Sequence, residues 1–569
     1  MTWFTKPTYK DFLILSFFCI FLIFHPRFMD VQGRINLFEV GIYLPGIQSA
    51  LEGAIPYRDF FHLRGPFEVY MPAMLMKWFG MHINVLHLYF YAGNGLCLIL
   101  CVLIAKELLQ TRLLLYLMTP VLVARTFPRV TFMIWGGMRY AFGLFALWFM
   151  IQFFKSRRLG WMLGAGLASG LGLLTSVEMG IYPSLGLAAA LTAGFIFKKL
   201  EMKLIAKALG LYLLGMFAIV FPLILYLAMH GAFFLYLEAV WSIVTNMQNV
   251  IDPHFVSTYP RNFPEAFAAM INPGHINFRH MTPSYLYLLI AAYMVYRVKN
   301  KTLSMVDLFV ACLAVYGFVM YNTGFRGIWA AQFEMALQPE KILLFFMLEV
   351  ILLALLAKRR EWRESLSLKP ETQKPAKVKI FLVGVFCFAL IGSSLGYVIQ
   401  RLNHRFFTFK FVTRKLMGKE TASLYPLAGI PAQRLEIQRA HGLIVPVEHA
   451  QELKEVNDFI QKNVAPRQKI LTYPDLGTYN FLFDRPYPGK FPLTTFTWFN
   501  DRWHAEFMRE LQADKPPFVI LEKNISQGWK DVYLALEPNR RKHQEMMDFI
   551  VNNYTIEKET VFSYIMRRK

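Results

Sequence analysis

The chain has 569 residues, of which 56% are hydrophobic, 16% aromatic and only 17% charged, with a mean hydropathy of +0.37; soluble domains carry about 25% charge. A soluble globular enzyme is excluded, and apolar stretches of about 15 to 25 residues, matched to a hydrocarbon core roughly 30 Å thick, define a multi-pass membrane protein. The net charge of +22 does not point to nucleic acid, because the basic residues stand in short clusters between apolar runs, the positive-inside pattern.

In chain order, the first apolar run (residues 12–24) follows Lys6 and Lys10 and has no small-residue cleavage site after it, so it reads as a retained first span. The run over 67–79 is short, carries Glu68 and Lys77 and is bracketed by Pro66 and Gly80, which suits a helix lying in the interface. Spans follow at 85–105, 113–127, 131–154, 159–175, 179–197, 205–229, 282–297, 304–321, 341–357 and 379–399, about eleven in all.

With the N-terminus cytoplasmic, the clusters Lys155/Arg157/Arg158, Lys198/Lys199/Lys203, Arg297/Lys299/Lys301 and Lys358/Arg359/Arg360/Arg363 all fall on the inner side. Residues 27–84, residues 230–281 and the tail then lie outside. The tail has globular composition, with a helical pattern over 452–463 and strand-like runs at Lys469-Ile-Leu-Thr-Tyr473 and Phe518-Val-Ile-Leu-Glu522, the marks of a small α/β domain. The polar loop 358–378 reads as a solvated linker. The expected fold is an α-helical multi-pass membrane domain (1–400) with an extracytoplasmic α/β domain (401–569), set in the inner (plasma) membrane. All five cysteines sit in apolar stretches without zinc or disulfide spacing.

The charged motifs concentrate in the first external loop: Glu39-Val-Gly-Ile-Tyr43, then Gly53-Ala-Ile-Pro56-Tyr57-Arg58-Asp59-Phe60-Phe61-His62-Leu63-Arg64-Gly65-Pro66. In these segments, and in Gly172-Leu-Leu-Thr-Ser-Val-Glu-Met-Gly180, the chain resembles the C-type membrane glycosyltransferases, in particular the bacterial branch similar to protein O-mannosyltransferases and aminoarabinose transferases. Their first external loop carries an Asp-Glu-Gly-x-Tyr-like motif, and Glu39 to Tyr43 matches it with Glu in place of the first Asp. With the C-terminal domain, whose motifs are weak, the resemblance covers most of the chain.

The resemblance implies the GT-C fold, a sugar donor linked through phosphate to a polyprenyl chain, and transfer to a glycan, lipid or protein acceptor on the external face. A carboxylate just outside the hydrocarbon, as Glu39 is expected to be, suits the general base, with Asp59 as a second catalytic candidate. Leaving-phosphate charge calls for fixed cations, and Arg58, Arg64, Arg139 and Arg326 are the guanidiniums expected near that surface. Tyr43, Tyr57, His62 and Glu178 complete the substrate-binding candidates.

Structural readings stand beside these. Asp59 also suits an ion pair with Arg58 or a turn cap, and Glu178 a helix cap. Arg139 is expected inside a span, where a buried arginine calls for function or a partner. Glu349, the other intramembrane charge, reads as buried against Arg139 or a polar helix face. His62 and His87 lack ligand spacing, so no metal ligand is assigned; members of the wider superfamily differ on whether a divalent metal assists.

The chain also departs from the family pattern. Where relatives often have a second acid, it offers Arg125-Thr-Phe-Pro-Arg129 and Trp135-Gly-Gly-Met-Arg139, and a lysine often found after the Leu-Thr pair is Ser176. Two rival functions therefore stay open: a lipid or polysaccharide transporter, against which the absence of a visible internal repeat argues, and a catalytically inactive, transferase-like assembly protein.

Overall fold

A computed structural model describes residues 2–23, 40–126, 136–250, 268–272, 278–326, 334–366, 417–418, 431–474, 477–492, 500–525, 530 and 534–569. Helices occupy most of the apolar runs: α1 (Tyr9–Ile23), α4 (Ile83–Leu108), α5 (Arg112–Thr126), α6 (Met138–Ser156), α7 (Gly160–Thr175), α8 (Val177–Ile196), α9 (Met202–Met229), α11 (Phe278–Lys299), α12 (Met305–Arg326) and α13 (Gln338–Leu366). Among the described residues, four (α4, α8, α9 and residues 305–323 of α12) are long and apolar enough to cross a membrane. The expected span 379–399 lies outside the described residues.

Two of these helices show where the apolar surface goes. α4 is sheathed by its neighbours, with Leu86, Phe90, Leu98, Val102 and Ala105 all at 0% exposure. α9, equally apolar, leaves Leu213, Leu214, Phe217 and Phe221 exposed; a helix apolar all round with an uncovered face is suited to lipid. Polar contacts stitch the packing, as where the Tyr212 hydroxyl of α9 bridges Ser169 on α7 (2.8 Å) and Ser184 on α8 (2.7 Å).

One end of the bundle is a belt of satisfied charge. Asp11 accepts from Arg112 Nη2 (2.6 Å) and the Tyr116 hydroxyl (3.1 Å), joining α1 to α5, and Glu107 holds Lys106 (2.7 Å) and Lys155, joining α4 to α6. Glu349 belongs to this end. Its carboxylate accepts the Gln110 amide (2.8 Å), the Thr111 amide (2.7 Å) and the Thr111 hydroxyl (2.8 Å), capping donors that the start of α5 leaves open. The expectation that Glu349 is buried against Arg139 is thereby corrected, since Arg139 stands at the opposite end of α6.

At that opposite end, beside α3 (Phe67–Phe79), α2 (Leu44–Leu51) and α10 (Phe233–Val250) meet the C-terminal region. There a four-stranded sheet runs β3 (Leu471–Tyr473), β4 (Phe518–Glu522), β6 (Ser563–Arg568), β5 (Tyr554–Glu559); β3 and β4 are parallel, the other pairs antiparallel. A short antiparallel pair, β1 (Ala432–Arg434) with β2 (Ile444–Pro446), precedes it, and helices α14 (Val447–Asn463), α15 (Thr478–Leu482), α16 (Asp501–Asp514) and α17 (Glu537–Asn553) complete the region. It is fastened to the first loop: the Phe61 amide donates to the Lys490 carbonyl (2.7 Å), the Phe61 ring meets Trp503 at 5.0 Å, and Arg439 donates to Gln48 (2.8 Å).

Candidate active site at the end of the bundle

Two turns, distant in sequence, build the site. In the first, Arg64-Gly65-Pro66 leads into α3, and the Gly65 amide donates to the Thr175 carbonyl (2.9 Å). A Cβ on Gly65 would stand 2.1 Å from the Leu174 carbonyl oxygen, so only glycine lets this turn dock on the junction of α7 and α8. The Tyr57 hydroxyl donates to the Arg64 carbonyl, and Tyr57 itself holds a left-handed backbone (φ 69°), uncommon for a bulky residue. Tyr57 thus positions Arg64.

In the second turn, Asn94 of α4 accepts the Gly137 amide (2.8 Å), and a Cβ on Gly93 would meet the Met138 nitrogen at 2.4 Å. α6 therefore starts at Met138, and Arg139 lies in its first turn. This corrects the expected placement inside a span over 131–154. A cation at a helix N-terminus is opposed by the helix dipole, and Arg139 is 2% exposed, so it needs anionic company.

Glu178 supplies it. From the first turn of α8, where the dipole favours an acid, its Oε1 lies 4.0 Å from both Arg64 Nη1 and Arg139 Nη1. The side chains are 15% exposed for Arg64, 2% for Arg139 and 36% for Glu178, so the carboxylate is the accessible face of the cluster. Arg139 also lies over the Tyr140 ring, 4.7 Å from its centroid.

Behind this face sits Glu68, in the first turn of α3 and 0% exposed. Neither of its oxygens has a hydrogen-bond partner among the described residues. Burial pushes its carboxyl above the ordinary carboxylate range; the fields of Arg139 and Arg64 act against that push, as does an interaction with the Tyr43 hydroxyl that falls short of hydrogen-bond geometry. Tyr43, 1% exposed, interacts in turn with Arg64, and burial raises its phenol. The His62 ring meets Tyr43 at 5.9 Å; it is buried, neither nitrogen has a hydrogen-bond partner among the described residues, and burial with the nearby Arg64 pushes it down to about 3, leaving a neutral imidazole.

The structure thus brings Tyr43, His62, Arg64, Arg139 and Glu178 together, with Tyr57 holding one of them. Arg58 and Asp59 form an exposed ion pair instead (2.8 Å). Asp59 also accepts the Ile55 amide (2.8 Å) and Arg58 donates to the His230 carbonyl (3.1 Å); the Arg58 hydrogen bond holds the Asp59 carboxyl below its ordinary range. Glu39 lies outside the described residues, as does the side chain of Arg326 at the end of α12. Among the described residues, no three His, Cys, Asp or Glu side chains are grouped to hold a metal, and the paired carboxylates here are set among cations.

Sequence reasoning passed over Glu68, Tyr140 and Asn94. The available signal for Glu68 was an acid two residues after Gly65-Pro66, in a helix that otherwise carries one charge, Lys77.

No protein-family model matches the chain, and no curated protein matches it. Solved structures do. The chain is similar to ArnT from Cupriavidus metallidurans bound to undecaprenyl phosphate, at 11% identity and a TM-score of 0.51, over 97% of each chain. It is also similar to the Archaeoglobus fulgidus oligosaccharyltransferase tethered to an acceptor peptide, at 10% identity and a TM-score of 0.50, over 98% of this chain and 73% of that one. The likeness gives this chain the fold of these two proteins.

Proposed function

We propose that the chain is an integral-membrane glycosyltransferase that moves a sugar from a polyprenyl-phosphate donor to a glycan, lipid or protein acceptor on the extracytoplasmic face. The observation that carries the reading is the convergence of Arg64 and Arg139 on Glu178, at the end of the bundle opposite the lysine-bearing loops, in a chain with the fold of a transferase solved with undecaprenyl phosphate.

The chemistry follows from the residues. At 4.0 Å each guanidinium is charge-paired with Glu178 beyond hydrogen-bond reach of that carboxylate, so a phosphate can displace Glu178 and meet both cations. Held in a largely dehydrated pocket, these cations stabilise the negative charge that grows on the leaving phosphate. Glu39 is assigned as the base that takes the acceptor hydroxyl proton. The neutral His62 and Tyr43 line the approach without adding charge. The contact of the C-terminal α/β region with the first loop through Phe61 supports a role for that region on the acceptor side.

Purified protein incubated with undecaprenyl-phosphate-linked sugars tests the reading. Release of undecaprenyl phosphate supports it, movement of the intact donor across a liposome membrane without release would make the chain a transporter, and neither would make it an assembly component.

A further inference from the structure

Resting on that reading, we propose that Glu68 is the acid of the reaction: it enters protonated and gives its proton to the leaving polyprenyl phosphate. Three observations meet here. The side chain is fully buried. Both of its oxygens lack a hydrogen-bond partner among the described residues, which is costly for a buried carboxyl unless something else completes it. And it lies in the fields of the two guanidiniums assigned to the phosphate and beside Tyr43.

Charge matching points the same way. With Glu68 neutral, Arg64 and Arg139 against Glu178 leave one net positive charge, the complement of a phosphodiester donor. Transfer breaks the bond between the sugar carbon and the phosphate oxygen, and the electron pair stays on that oxygen. The acceptor oxygen bonds to the sugar carbon and its proton goes to Glu39. The Glu68 proton goes to the phosphate, which leaves as a singly charged monoester, so the two cations never face a dianion. Glu68 is left as a carboxylate and Glu39 as an acid, and exchange with water resets both.

The groups that face Glu68 are Tyr43 from the first loop, Arg64 from the turn before α3, Arg139 from α6, Glu178 from α8 and Tyr89 from α4. Among the described residues Glu178 is the one carboxyl of this set, and it is held between the arginines at 4.0 Å.

The test is the pH profile of turnover with an undecaprenyl-phosphate sugar for wild type, Glu68→Gln and Glu68→Asp, with undecaprenyl phosphate binding measured on each. Glu68→Gln keeps the shape and a hydrogen-bond donor but has no proton to give. It should bind undecaprenyl phosphate within tenfold of wild type, lose about 10²-fold or more in kcat, and lose the alkaline decline that wild type shows. Glu68→Asp should keep that decline and more activity than Gln. A Glu68→Gln protein with wild-type kcat, or with lowered kcat and an unchanged pH profile, overturns the proposal while leaving the transferase reading standing. A wild-type protein that neither binds undecaprenyl phosphate nor releases it overturns both.

Discussion

Arg139 Nη1 lies 4.0 Å from Glu178 Oε1, close enough for each charge to hold the other at the end of the bundle and too far for a hydrogen bond. The pair joins the first turns of α6 and α8, and Arg64 reaches the same oxygen from the first loop at the same distance.

If these guanidiniums are the phosphate site, Arg139→Ala and Arg64→Ala should each weaken undecaprenyl phosphate binding by about 10- to 100-fold, the loss of a charged hydrogen-bonding partner worth about 1.5–3 kcal/mol. Lysine at either position should recover part of this, because it keeps the charge and loses the fork. Arg58→Ala should stay within about threefold of wild type, as expected for a solvent-screened, exposed ion pair. Equilibrium binding on the purified variants checks all three.

Gly65→Ala should behave as an arginine mutant without touching an arginine. Its Cβ would strike the Leu174 carbonyl, pushing the turn off the end of α7 and carrying Arg64 with it. We expect a lower Tm, from strain of at least about 1–3 kcal/mol, together with donor affinity as poor as in Arg64→Ala. A full-affinity Gly65→Ala protein would mean that the docked turn does not set Arg64.

His62 gives a pH signature. Its pKa falls from 6.5 in the unfolded chain to about 3 in place, so between those values the unfolded state binds the extra proton. Stability is therefore present above about pH 6.5 and is lost as the pH falls toward 3. Thermal melts from pH 7.5 to 5 should show a drop in Tm that shrinks in His62→Phe. An identical drop in both proteins would place the acid sensitivity elsewhere.

Glu349 separates structure from chemistry. Glu349→Ala removes the acceptor of the Gln110 and Thr111 amides, leaving buried donors unpaired at a cost of about 1–3 kcal/mol. Its Tm should fall while undecaprenyl phosphate affinity stays at wild type, because the belt lies the length of α6 from the site.

Much of this arrangement was legible in the chain. The hydrophobic runs fixed the helices, and the short run after Gly65-Pro66 read as α3 because Glu68, Lys77 and Gly80 mark its ends. The strands at 471–473 and 518–522 showed as β-branched apolar runs, whereas β5, largely exposed over Tyr554–Glu559, carried too little apolar signal. Arg139 was misplaced because Trp135-Gly-Gly continues an apolar run, and hydropathy does not register that Gly137 adopts φ +90° and that Asn94 ties it down. Glu68 read as an interfacial first-turn acid; only the docking of Gly65 on Thr175 turns it inward, a tertiary contact that local pattern does not encode.

The central claim is sugar transfer from a lipid phosphate, and its most direct measurement is release of undecaprenyl phosphate from an undecaprenyl-phosphate sugar by wild type, Arg139→Ala and Glu39→Gln side by side. Wild type should release it, Arg139→Ala should show a drop that tracks weakened donor binding, and Glu39→Gln should lose about 10²- to 10⁴-fold with donor binding retained. Wild-type protein that binds the donor and leaves it intact in the presence of acceptor extracts would contradict it.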